Sequence, residues 1–93
     1  MITEIKEKLR NGIVTFAFTK KDGTTRQAKG TLIFDKSIVG ENFVAPTVRG
    51  SEKIGATAYW DLDKEAWRSF NDNSLVSIDK FIERQDILGG ELF

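Results

Sequence analysis

The sequence predicts a mainly β protein, a small barrel of about five strands preceded by one short helix. Three observations predict it. Apolar and polar residues alternate in several short runs, most clearly in Val14-Thr15-Phe16-Ala17-Phe18-Thr19, and a period of two marks a strand with one buried face. Turn-forming clusters separate these runs: Lys21-Asp22-Gly23, Leu62-Asp63-Lys64-Glu65 and Asn71-Asp72-Asn73-Ser74. The chain has 93 residues, 40% of them hydrophobic and 11% aromatic, which suffices for one compact core and not two. Rolling short strands into a barrel also removes the exposed edges on which sheets aggregate.

The elements follow in order. Residues 3–10 read as a short helix in which Thr3 is placed to cap and Ile5 and Leu9 share one face. Asn11-Gly12 stops it, because both residues tolerate the left-handed conformation. In the first strand Val14, Phe16 and Phe18 face the core. Lys21-Asp22-Gly23 is a hairpin turn, since Asp-Gly suits the positive φ such turns need. The return strand spans Thr25–Phe34, with Arg26, Ala28, Gly30 and Leu32 on one face and Gly30 marking a bend or bulge. Residues 35–54 are the least regular, with Gly40, Pro46 and Gly50 interrupting Ile38, Val39, Phe43 and Val44. An irregular segment of this length is commonly functional in a compact domain, and short strands fit within it. Residues 56–61, 66–70 and 75–82 complete the strands, the last with Val76, Ile78, Lys80 and Ile82 on one side. The expected core is Val14, Phe16, Phe18, Leu32, Val76 and Ile78. Residues 1–83 form a single domain on this reading, and residues 84–93, with Gly89-Gly90, a flexible tail.

Composition excludes much chemistry. The chain has no Cys and no His, which removes disulfides, thiolate and Ser-His-Asp nucleophiles, and zinc or haem sites built on these ligands. The reading is therefore a non-enzymatic protein without cofactor. Asp61-x-Asp63-x-Glu65 gathers three carboxylates, but Ala66 follows where a calcium loop places Gly, and a solvated hairpin turn is the plainer account. No phosphate-binding glycine loop is present. The N-terminal segment lacks an apolar signal core and no run is long enough to span a membrane, so the expected location is the cytoplasm. Net charge is zero, but residues 1–50 hold nine Lys/Arg against five Asp/Glu and residues 51–93 five against nine.

Within the basic half, Lys20, Lys21, Arg26 and Lys29 fall on one hairpin. Arg26 and Arg68 each lie inside a strand-like run among apolar neighbours, a setting in which a guanidinium presents a rigid fork to phosphate or carboxylate. The competing account is a structural ion pair with Asp61 or Asp79. Tyr59, Trp60, Trp67 and Phe70 are candidates to stack a nucleobase, against the simpler account that large aromatics in a small domain are core. The candidate ligand-binding residues are thus Arg26, Lys29, Trp60, Trp67 and Arg68.

FTKKDGTTRQAKGT (Phe18–Thr31) and YWDLDKEAWRSFNDNSLVSID (Tyr59–Asp79) together resemble the WYL-like family of small phage and bacterial proteins. The resemblance rests on the Lys-Asp-Gly turn, Arg26, Gly30-Thr31, Trp60-Asp61 and Trp67-Arg68-Ser69-Phe70. It implies an Sm-like small β-barrel fold. Larger WYL domains look like ligand- or nucleic-acid-sensing modules of bacterial and phage regulators, although these 93 residues contain no DNA-binding helical segment. Trp60 departs from the pattern, standing where relatives more often carry a smaller aromatic. The expectation is a binding or regulatory module, phage-encoded or bacterial, that takes an anionic ligand, a nucleotide or single-stranded nucleic acid. The alternative is a protein-interaction module that captures a host or phage protein through residues 35–54 or the tail.

Overall fold

The computed structural model describes residues 1–45 and 55–88. Helix α1 (Ile2–Asn11) leads into strand β1 (Gly12–Thr19), which pairs antiparallel with β2 (Thr25–Thr31). A short helix, α2 (Lys36–Val39), precedes β3 (Ala56–Asp61) and β4 (Ala66–Asn71). A single 3₁₀ turn (Asp72–Ser74) joins β4 to β5 (Leu75–Glu83), and α3 (Arg84–Leu88) follows where a tail was expected to begin. The five strands form one antiparallel sheet in the order β4-β3-β2-β1-β5.

The sheet rolls on itself. Three inter-strand gaps separate β1 from β4, roughly 14 Å if the sheet were flat. Yet the ring of Phe70 on β4 sits 5.2 Å from Phe16 and 5.6 Å from Phe18 on β1. Inside the roll lie Val14, Phe16, Phe18, Ala28, Tyr59 and Phe70, and α1 closes one side with Ile5 and Leu9. The three β1 residues expected to face the core do so, and Leu32 packs against it.

α1 starts earlier than its expected cap. Ile2 packs on the core one turn before Ile5, and the Ile5 amide donates to the Met1 carbonyl at 3.1 Å, so Thr3 lies within the helix and caps nothing. Gly12 ends the helix for a reason of space. Its φ is 176°, extended rather than left-handed, and a Cβ there would lie 2.0 Å from the Ile82 carbonyl oxygen. Carbonyls at the end of α1 and just past it find partners outside the helix: Leu9 accepts from the Leu32 amide at 2.8 Å and Gly12 from the Thr31 hydroxyl at 2.7 Å. These bonds draw the chain off the sheet after Thr31, which is why β2 stops short of Phe34.

The hairpin turn forms as expected. Gly23 has φ 90°, its amide donates to Lys20, and the Asp22 carboxylate accepts from the amide and hydroxyl of Thr24. Gly30 marks a close approach: a Cβ would lie 2.4 Å from the Tyr59 ring. In the irregular segment, Asp35 caps α2 by accepting from the Ser37 amide, so a helical turn stands where short strands were considered. Residues 46–54, with Pro46 and Gly50, lie outside the described residues, as do residues 89–93.

β5 corrects the expected core. Its register against β1 shifts twice, leaving Asp79 and Val76 without a partner in the ladder. Each extra residue reverses the alternation, so Leu75, Ile78 and Phe81 pack against the core while Val76 is 50% exposed. Strict period two across this strand had placed Val76 inside.

Candidate functional site

Cross-strand register decides which side chains meet, since residues directly opposite share a face of the sheet. Phe18 lies opposite Arg26, Val14 opposite Gly30, and Gly30 opposite Asp61. Tyr59 lies opposite Arg68 and Thr57 opposite Phe70. Arg26, Tyr59, Asp61 and Arg68 therefore share the inner face of the roll. The outer face holds Lys29, opposite Thr15, and the row Ile13, Thr31, Trp60 and Trp67.

The five candidate residues accordingly divide. Arg26 and Arg68 share the inner face, flanking β3 from β2 and β4 rather than occupying adjacent strands. Lys29, Trp60 and Trp67 lie on the other face, because each is an odd number of residues from an inner-facing neighbour. Trp60 is 1% exposed and unavailable for stacking. It belongs to an aromatic cluster with Phe43 and Trp67, at ring separations of 4.8 and 5.8 Å, which Phe34 extends toward solvent. The Trp67 indole nitrogen donates to the Val44 carbonyl at 2.8 Å.

Arg26 donates to Asp61, whose side chain is fully buried, at 2.5 Å, so the ion-pair account holds for this residue. Asp61 also accepts from the amides of Asp63 and Lys64, both at 2.9 Å, and so sets the β3–β4 turn. Three hydrogen bonds thus commit the carboxylate to that turn and to Arg26. Among the described residues no group of acidic side chains is arranged to hold a metal ion. Asp79, the other partner considered, instead accepts from Gln27 at 3.0 Å. Arg68 is exposed and forms no ion pair among the described residues.

On the same inner face, opposite Arg68, lies a residue whose hydroxyl the sequence alone did not single out. Tyr59 is fully buried, its ring packed edge-on against Phe16 at 5.1 Å, and its hydroxyl has no hydrogen-bond partner. Burial pushes the phenol pKa up to about 12; the Asp61 charge raises it further, while Arg26 and Arg68 oppose the rise. The phenol is thus a neutral donor at any physiological pH, with two guanidinium groups in its electrostatic reach. The alternation of β3 was the signal available: it places Tyr59, Asp61 and Thr57 on one face together with whatever faces them from β4.

Rolled sheet, N-terminal helix and buried polar inner face define a small Sm-like β domain. The chain belongs to the family described as WYL_2, Sm-like SH3 beta-barrel fold, whose model matches residues 2–76. No curated protein and no solved structure matches the chain.

Proposed function

We propose that this domain is a non-enzymatic binding module that takes an anionic ligand, the phosphate group of a nucleotide or of single-stranded nucleic acid, at Arg26, Tyr59 and Arg68. One observation carries the reading. A buried hydroxyl without a partner costs stability, and this one feels the charge both of a guanidinium paired with Asp61 and of a second that forms no ion pair among the described residues. A phosphate oxygen supplies the missing acceptor and the missing charge together. Arg26 is preorganised for this, since the bond to Asp61 occupies one of its donors and holds the rest of the fork in position. The absence of Cys and His supports a role in binding rather than catalysis, and the absence of Cys suits the cytoplasm of a bacterium or infected cell.

The test is chemical-shift mapping of the labelled protein with ATP and with sulfate, repeated on Arg68→Ala. Perturbations centred on Arg26, Tyr59 and Arg68, weakened in the variant, are expected. Titrations that leave these three residues unmoved overturn the reading.

A second reading, capture of a protein partner, draws on the outer face, where Phe34 is 50% and Val44 60% exposed beside the aromatic cluster. On that reading Phe34→Ser abolishes partner capture in a pull-down, whereas Arg68→Ala does not affect it.

A further inference from the structure

We infer that the hollow between the chain leaving β2 and the start of α3 is a binding site for a small organic anion that carries a planar ring. The ring lies on Phe34, and the anionic group meets Lys36 and Arg84. The hollow is open to solvent, measures about 460 Å³, and is lined by Ile33, Phe34, Asp35, Lys36 and Arg84. Small-molecule sites commonly span roughly 300–1,000 Å³. The hollow shares no residue with Arg26, Tyr59 and Arg68, and the inference does not rest on the function proposed for those residues.

Phe34 supplies the apolar wall. Half of it is open to solvent, an unfavourable setting for so large an apolar side chain. The ring is nevertheless held in place: Phe43 stacks on it at 5.1 Å, and Trp67 meets it edge-on at 5.8 Å. The flanking backbone is fixed as well, since Ile33 is buried and Asp35 caps α2. A ring supported in this way and left half uncovered can stack a second ring without further ordering of the protein.

Charge supplies the other half of the site. Lys36 and Arg84 outnumber Asp35, so the rim carries a net positive charge. Arg84 holds Asp35 loosely, at 3.4 Å, where a well-made charge-assisted bond is about 2.7–2.9 Å. Asp35 has little need of it. The amide and hydroxyl of Ser37 donate to its carboxylate at 3.0 and 2.7 Å, and they are the main cause of a pKa held below the usual carboxylate value. Lys36 forms no ion pair among the described residues. A carboxylate or phosphate group on Arg84 and Lys36 makes the bonds that Asp35 leaves unmade, while the attached ring covers Phe34. A neutral ring leaves the cations unmatched, and an inorganic anion leaves Phe34 bare. Aromatic carboxylates and nucleotide phosphates share the required chemistry.

The experiment is chemical-shift titration of the labelled full chain with adenosine 5′-monophosphate and 1-naphthoate, and with two incomplete ligands, adenosine and sulfate. At least one complete ligand is expected to perturb, saturably, the amides of residues 33–36 and 84 and the indole N–H of Trp67; whichever does so identifies the source of the anion. Adenosine and sulfate should each bind there about tenfold more weakly, and Arg84→Ala should weaken the complete ligand to a similar degree, as expected for loss of one charge-assisted bond. Arg84→Lys should recover part of that loss, and Phe34→Leu, which keeps apolar bulk without the ring, should weaken binding several-fold. The Arg84 side chain is 58% exposed, so its variants keep the fold. Phe34 also serves the protein-capture reading whereas Arg84 does not, so Arg84→Ala tells a small ligand from a protein partner. Sulfate that binds as tightly as the monophosphate overturns the role of Phe34, and adenosine that does so overturns the role of the cations. Perturbation confined to Arg26, Tyr59 and Arg68 overturns this site and leaves the proposed function standing. Titrations with both complete ligands that leave residues 33–36 and 84 unmoved overturn the inference.

Discussion

Replacing Tyr59 by Phe removes one oxygen from the protein's interior and separates the cost of a buried hydroxyl from its use. The ring contacts survive the change: the edge-on packing against Phe16 at 5.1 Å and the approach to Phe70 at 6.1 Å depend on the ring alone. A buried polar group without a partner costs about 1–3 kcal/mol, so Tyr59→Phe should stabilise the unliganded fold by about 1–2 kcal/mol. For a chain of this size that raises Tm by roughly 5–10 °C, well within the reach of calorimetry. Ligand should narrow the gap, because it stabilises only the protein that binds it: about 1.4 kcal/mol at ten times Kd. High pH should also separate the two proteins. The folded phenol titrates near 12 and the unfolded one near 10.0, so the neutral buried form contributes stability that is fully present below pH 10 and lost as pH rises toward 12. The advantage of Tyr59→Phe should therefore widen across that window. A variant that melts at or below the parent's temperature would show that the hydroxyl has a partner in solution, and the argument for an anion at this site would fall.

Other consequences follow from packing and register. Phe16→Ala should cost about 3–5 kcal/mol in urea unfolding, since Phe16 is fully buried among Phe18, Tyr59 and Phe70; an unchanged midpoint would refute the face assignment of β1. Val76→Ala should stay within about 0.5 kcal/mol while Ile78→Ala costs clearly more, and equal losses would contradict the two bulges in β5. Asp61→Ala should cost about 3 kcal/mol, near the lower end for a broken buried pair because Arg26 retains some exposure; loss of amide-exchange protection at the β3–β4 turn is the accompanying sign. Gly12→Ala and Gly23→Ala should destabilise through different causes. The first forces a methyl against the Ile82 carbonyl and should cost about 1–3 kcal/mol. The second meets no atom within 4 Å but adopts φ 90°, for about 1 kcal/mol; a larger loss at Gly23 than at Gly12 would reverse the argument.

What the sequence by itself determined is local. Alternation in β1, the Asp-Gly turn and the spacing of the turn clusters specify where strands begin and reverse, because each depends on residues a few positions apart. These suffice for five strands and a helix, and the resemblance carried by Phe18–Thr31 and Tyr59–Asp79 led to the right family. The pairing of Arg26 with Asp61 was among the partners the sequence allowed, although nothing in it chose between Asp61 and Asp79. That choice is made by the rolled sheet, in which the Arg26 guanidinium meets Asp61 while Asp79 accepts from Gln27 instead. Tertiary structure also decided what repetition cannot express. Two unpaired residues in β5 turned Val76 outward, since a bulge reverses alternation without changing the residues around it. Gly12 and Gly30 look like conformational signals in the sequence, yet both are places where another part of the chain comes too close for a side chain. The site depends on the same distinction. Trp60 and Tyr59 are adjacent in the sequence and point to opposite faces, so the indole is absorbed into an outer aromatic cluster while the phenol is buried in the inner core opposite Arg68. Face and neighbour are properties of paired strands, and only the rolled sheet assigns them.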